Sequence, residues 1–163
     1  MAQPTTTPTI LIAEDDADEI VLLTSAFSKT GLNCKLQFVL NGRDAKAYLE
    51  GHSPYHDRKT FPMPRLLLLD LGMRVVDGYE FLGWLKTQPH FSDLTVVVHS
   101  GSIEQRDMDG TANMGVKGYY VKIGTRDAKI KLFKELSRRW LEEVGPDTRD
   151  AAPPPLQGPD DLD

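Results

Sequence analysis

Residues 66–70 read Leu-Leu-Leu-Leu-Asp, and this one segment excludes most folds. A run that is apolar on both alternations has no face to offer water. As a strand it must be buried on both sides, which happens in a parallel sheet with helices packed above and below. Asp70 closes the run with a carboxylate, and a charge at the end of a buried strand calls for a chemical reason.

The flanks repeat the arrangement. TILIA (9–13) is a short apolar run, followed by Ile20, Leu23 and Phe27 at helical spacing and a helix stop at Gly31. CKLQFV (34–39) puts Leu36 and Phe38 on one side, and NGRDAKAYLEG gives a short helix. After the leucine run, DGYEFLGWLKTQ places Tyr79, Leu82 and Leu85 on one stripe. DLTVVVHS is a fourth strand, EQRDMDGTANMG a weak helix interrupted by glycine, KGYYVK a fifth strand and RDAKIKLFKELSRRWLEEV a strong final helix. Strands alternating with helices imply right-handed crossovers. The predicted fold is α/β: a flavodoxin-like (βα)5 doubly wound, parallel five-stranded sheet of strand order 2-1-3-4-5.

With 163 residues the chain suits one domain. We expect a flexible N-terminus over 1–8, the domain over 9–143, a proline-rich inserted loop at 52–64 and a disordered Pro/Asp-rich tail over 144–163. The formal net charge of -5, with basic residues spread along the chain, argues against nucleic acid as a partner. No basic residue precedes the short N-terminal apolar run, so neither a signal peptide nor a membrane partner is expected. The single cysteine, Cys34, cannot form an internal disulfide, and no Cys/His spacing suits a metal; both fit a cytoplasmic location.

In doubly wound sheets, ligands bind beyond the carboxyl ends of the strands where strand order reverses, here between the first and third strands. The first strand ends in Glu14, Asp15 and Asp16 and the third in Asp70. Carboxylates gathered that closely raise one another's pKa unless a cation is present. All-oxygen ligands favour a hard ion, and Mg²⁺ is usually shared with phosphate oxygens. Ser100 at the end of the fourth strand can donate to a phosphoryl oxygen, and Lys122 at the end of the fifth can pair with it. Asp70 is then the nucleophile of an acyl phosphate. Taken singly, each residue has a plainer reading: Asp16 and Glu19 form a capping box, Ser100 before Gly101 is a turn residue, and Lys122 is a solvated charge. Their joint placement at strand ends favours the site.

These residues resemble the receiver domains of two-component response regulators, over about residues 9–143. ILIAEDD resembles the first strand and acid pair of that family, which implies Glu14 and Asp15 as metal ligands, Asp15 the closer. LLLLDLGMRVVDG resembles the phosphoacceptor segment, implying Asp70 as the phosphorylated residue and the Gly72 backbone carbonyl as a metal ligand. VVVHSG places Ser100 at the hydroxyl position, and GYYVK places Tyr119 at the aromatic switch position and Lys122 at the lysine position. The resemblance implies a single-domain, Mg²⁺-dependent regulator without enzymatic turnover of its own. A histidine kinase or phosphorelay protein would phosphorylate it, and its output would be protein contact, a homodimer included. In such domains the hydroxyl moves toward the phosphate and the aromatic ring turns inward, altering the surface of the fourth helix, fifth strand and fifth helix. The inserted loop and RRWLEE resemble regulators that partner phytochrome-type kinases.

The sequence departs from the family at several positions. Arg74 stands where the family usually has proline, and Ile123 where it has a proline in a cis bond. A cis bond before a non-proline residue costs about 2.5–4 kcal/mol, so the Lys122–Ile123 peptide is expected to be trans with the loop altered, or else strained. In the family that these residues resemble, side chains at the positions of Gly72 and Ser102 shape access of the hydrolytic water, and Gly72 supplies none. Alternation turns His99 away from Ser100, as a packed or partly exposed residue without catalytic work. Tyr79, Phe81 and Trp84 read as packing residues, and Trp140 as core rather than as an anchor for a partner. Two other readings compete: an interaction or dimerisation module not regulated by phosphorylation, and an Asp-nucleophile phosphatase. Gly72 stands where the phosphatase needs a second aspartate.

Overall fold

A computed structural model describes residues 7–142. The tail expected over 144–163 and all but the last two residues of the segment 1–8 lie outside it. Five strands, β1 (Thr9–Ala13), β2 (Lys35–Val39), β3 (Leu66–Leu69), β4 (Thr95–Ser100) and β5 (Gly118–Val121), alternate with α1 (Ala17–Ser28), α2 (Gly42–Glu50), α3 (Gly78–Lys86), α4 (Gln105–Asn113) and α5 (Arg126–Leu136). The strands are parallel in the order β2-β1-β3-β4-β5, as the alternation predicts. Among the described residues no helix is long and apolar enough to cross a membrane.

The double burial of β3 organises the molecule. Leu66, Leu67, Leu68 and Leu69 are all completely inaccessible to solvent. Leu67 and Leu69 pack with Leu11, Val98, Tyr48, Phe81 and Met108 beneath α2, α3 and α4. Leu66 and Leu68 pack with Ile10, Ile12, Val97, Leu23 and Phe133 beneath α1 and α5. Burying one such leucine contributes roughly 1.5–3 kcal/mol, so this strand cannot slip its register without losing both layers.

Short side chains start the helices where the sequence suggests. Asn41, Asp77 and Thr125 accept from the amides of Asp44, Glu80 and Ala128. Asp16 caps α1 through the amides of Asp18 and Glu19, but the expected reciprocal half of the capping box is not made. Glu19 turns inward instead, to the ammonium of Lys129. Among the described residues no side chain caps α4, in keeping with its weak sequence signal.

The inserted loop has a definite role. Tyr55 and Phe61 lie against Tyr48, with ring centroids 5.2 and 6.0 Å from it. Arg58 donates to the carbonyls of Tyr48 (2.8 Å), Leu49 (2.9 Å) and Phe61 (3.2 Å), so it satisfies the last carbonyls of α2, which lack partners within the helix. The final helix also differs from expectation. It stops being α-helical at Leu136 and continues as a π turn over Ser137–Leu141, with the Glu142 amide on the Ser137 carbonyl at 2.9 Å. An α-helical continuation would swing Leu141 away from the face that Leu136 buries, whereas the wider turn keeps both inside. Trp140 is half-buried, its ring lying over Gly118, where a Cβ would come within 3.1 Å of it.

Candidate functional site

Sheet register builds the site. Ala13 pairs with Leu69, so the next residues, Glu14 and Asp70, leave the sheet side by side. Main-chain bonds hold both exits: the Asp70 amide donates to Ala13 (3.1 Å) and the Glu14 amide to Val39 (3.0 Å). Carboxylate oxygens of Glu14, Asp15 and Asp70 all lie within 4.8 Å of one another. Ser100 pairs with Val121, and the Lys122 amide donates to the Ser100 carbonyl at 2.8 Å. This aims the lysine back at the acids: its ammonium is 2.7 Å from Glu14 Oε2 and 3.2 Å from Asp70 Oδ2. Among the described residues the only cis peptide is Ser53–Pro54, so the Lys122–Ile123 bond is trans, as expected, and the loss of proline does not displace the lysine.

Main-chain donors orient the acids. The Asp16 amide donates to Glu14 Oε1 (3.1 Å) and the Gly72 amide to Asp70 Oδ1 (3.2 Å). The Arg74 amide donates to Asp15 Oδ2 at 3.1 Å, a bond that proline at this position could not make, while the Arg74 side chain is solvent-exposed. Burial raises the Glu14 carboxyl to about 7, against the hydrogen bond from Lys122 and with the charge of Asp70. Burial also opposes the charge on Lys122, but Glu14 and Asp70 outweigh it and raise its pKa. The Lys122 ammonium and, at the solvent edge, the exposed Arg74 guanidinium 3.9 Å from Asp15 still leave three carboxylates with an excess of negative charge in a largely buried place. That excess and the all-oxygen donor set fit a divalent cation.

The hydroxyl and aromatic positions share one network. Ser100 Oγ accepts from the Ser102 amide at 3.2 Å. Tyr119 is buried, and its hydroxyl donates to the Ser102 carbonyl at 2.9 Å. The ring expected to turn inward on phosphorylation is therefore already inside in this structure. Ser102 in turn donates to Asp107 Oδ2 at 2.6 Å, and Tyr79 donates to the other oxygen of Asp107.

His99 lies on the face of β4 opposite Ser100, as alternation predicts, and is buried there with Lys129 of α5 at 3.3 Å. Sequence reasoning missed Lys129, although a signal was present. It falls at helical spacing with Leu132, Phe133 and Leu136 on the stripe that α5 buries. Asp107 and Tyr79 carried no such signal, since an acid in a first helical turn and a tyrosine on an amphipathic helix are ordinary.

Residues 10–134 match the response regulator receiver domain, and the chain belongs to that family. It is similar to response regulator Rcp1 of Synechocystis, being 27% identical over 83% of this chain and 90% of that protein. A structure of the Mn²⁺-bound form of Rcp1 matches with a TM-score of 0.72, covering 85% of this chain and 97% of that one. The phosphorylated cyanobacterial phytochrome response regulator RcpA matches with a TM-score of 0.76 and 27% identity, over 86% of this chain and 98% of that one. A response regulator of red-light signalling in R. palustris matches with a TM-score of 0.78 and 27% identity, over 85% of this chain and 96% of that one. Family and acidic cluster together assign a divalent metal as the cofactor of this domain.

Proposed function

We propose that this receiver domain accepts a phosphoryl group on Asp70 from a histidine kinase or a phosphorelay protein, and signals by the protein contact that follows. The observation that carries the reading is the convergence of Glu14, Asp15 and Asp70 with the Lys122 ammonium at one edge of the sheet. Mg²⁺ would be held by those three carboxylates and the Gly72 backbone carbonyl. When bound, it supplies positive charge that offsets repulsion between phosphoryl oxygens and the acids.

Asp70 then acts as nucleophile. A carboxylate oxygen forms the new bond to phosphorus while the bond to the donor nitrogen breaks, and the departing imidazole takes up a proton. Lys122 already lies beside Asp70 Oδ2 and places an ammonium where the transferred group's oxygens gather charge. Ser100 accepts from the Ser102 amide, which leaves its own proton for a phosphoryl oxygen. Tyr119 occupies the aromatic position, and the surface that responds is that of α4, β5 and α5. Similarity to phytochrome response regulators supports a phytochrome-type kinase as donor. A cytoplasmic site of action, a homodimer as one output contact, and a role as signalling module rather than enzyme belong to the same reading.

The test is intact-mass spectrometry after incubation with Mg²⁺ and acetyl phosphate. One phosphoryl adduct is expected, absent with EDTA and absent in Asp70→Asn. A wild-type protein without adduct would overturn the proposal and leave the domain as an interaction module.

A further inference from the structure

Asp107 lies in the first turn of α4 and belongs to neither the acid cluster nor the hydrophobic layers, yet its two oxygens hold parts of the molecule far apart in sequence. Tyr79 of α3 donates to Oδ1, and Ser102 of the β4–α4 loop donates to Oδ2 at 2.6 Å. Ser102 is gripped at three atoms. Its hydroxyl is on Asp107, its amide is 3.2 Å from Ser100 Oγ, and its carbonyl is 2.9 Å from the Tyr119 hydroxyl. Hydroxyl and aromatic positions of the site therefore meet in one residue, and one carboxylate fixes that residue.

We propose that Asp107, anchored by Tyr79, is a positioning residue that sets the β4–α4 loop through Ser102 and so holds Ser100 and Tyr119 in the arrangement that receives a phosphoryl group. This rests on the phosphoacceptor reading above. The chemistry requires a carboxylate: both donors are hydroxyls, and a group with two acceptor oxygens can satisfy both at once. An amide of the same shape has one acceptor oxygen, so one of the two hydroxyls would have to turn and accept from its N–H, giving up a bond to a charged acceptor. Hydrogen bonds to a charged acceptor are the strong ones. In keeping with this, the two hydroxyls hold the Asp107 carboxyl below its ordinary range, with the Ser102 bond the larger cause. Burial and the Asp107 bond together push the Tyr79 phenol up. Releasing Oδ2 removes the side-chain hold on Ser102, and releasing Oδ1 removes the bond that orients the carboxylate toward it; either way the loop holds Ser100 and Tyr119 less firmly.

The experiment compares wild type, Asp107→Asn, Tyr79→Phe and the double variant, with acetyl phosphate as donor. At saturating acetyl phosphate, Asp107→Asn is expected to lower the rate of adduct formation about tenfold and Tyr79→Phe about threefold. The half-saturating donor concentration and the Mg²⁺ affinity should stay unchanged, because the acids and Lys122 are untouched. The double variant should be no slower than Asp107→Asn alone, since both substitutions break one chain. In NMR spectra, the Ser102 amide and the Tyr119 ring should shift in both single variants. Wild-type rates in both variants, additive effects, or a fall in Mg²⁺ affinity equal to the fall in rate would overturn the proposal. Should wild type form no adduct, the phosphoacceptor reading fails by itself. The spectra then decide the latch, and an unmoved Ser102 amide in Asp107→Asn overturns it.

Discussion

The ammonium of Lys129 lies 3.3 Å from Nε2 of His99, in the interior between β4 and α5, and Glu19 of α1 closes its other side. An ammonium carries only donors, so Nε2 must be the acceptor; this partner assigns the imidazole proton to Nδ1. Burial first, then the charges of Lys129 and Lys122, push His99 well below its usual range. The folded protein therefore holds this histidine neutral.

The acid limb of stability should follow from that pair. Below the ordinary histidine pKa of 6.5 the unfolded chain takes up a proton that the folded protein refuses, so stability is complete above 6.5 and falls as pH falls beneath it. The slope from this group approaches about 1.4 kcal/mol per pH unit. His99→Gln keeps an acceptor for Lys129 and removes the titration. Urea unfolding at a series of pH values should give a flatter acid limb for the variant, and parallel curves would show that His99 is not the group responsible.

Val75 sits at φ +69° on an exposed loop between β3 and α3. A β-branched side chain there costs of order 1–3 kcal/mol and gains little packing in return. Val75→Gly should raise stability by about 0.5–1 kcal/mol after the added freedom of the unfolded chain is counted. An unchanged or lower thermal midpoint would contradict the strain.

Gly78 and Gly83 begin and continue the same helix and should respond oppositely to alanine. A Cβ on Gly78 would come 2.7 Å from the Leu71 Cα and 2.8 Å from the Asp70 carbonyl, backbone atoms that cannot swing aside. Gly78→Ala should cost about 1–3 kcal/mol and weaken Mg²⁺ binding by displacing Asp70. Among the described residues nothing lies within 4 Å of a Cβ on Gly83, so Gly83→Ala should stabilise by about 0.5–1 kcal/mol with Mg²⁺ affinity unchanged. Thermal unfolding with and without Mg²⁺ separates the two.

Arg58 ties the inserted loop to α2 through the carbonyls of Tyr48 and Leu49, and braces the loop through that of Phe61. Arg58→Met keeps much of the side-chain stem and deletes the donors, so the helix end keeps only its backbone cap at Gly51 and the Leu49 and Phe61 carbonyls lose their side-chain partner. A loss of about 2–3 kcal/mol is expected. Hydrogen exchange should localise faster opening to Tyr48 and Leu49 and the loop, and uniform change across the sheet would contradict a local cap.

The sheet and the acid cluster were legible because one leucine run has only one environment in which it is stable. Once Leu66–Leu69 is a doubly buried parallel strand, its length puts Asp70 at the ligand-binding edge, and the same counting delivers Glu14, Ser100 and Lys122. What stayed hidden involves side chains whose partners come from elsewhere in the chain. Glu19 satisfies a local capping pattern, but Lys129, buried on α5, offers it a stronger partner. The contacts of Tyr79 with Asp107 and of Arg58 with α2 likewise depend on which elements come to face each other. The π turn after Leu136 escaped because the α-helical stripe runs unbroken to Leu136, and one apolar residue five positions on, Leu141, is too little to mark a wider turn.

The two tryptophans stand on opposite sides of the sheet: Trp84 packs with the layer under α2, α3 and α4, and Trp140 with the layer under α1 and α5. Each indole is thus a native fluorophore for one half of the molecule. With either replaced by phenylalanine, the emission of the other follows a single helical layer, so separate melting of the layers would show as two transitions that do not coincide.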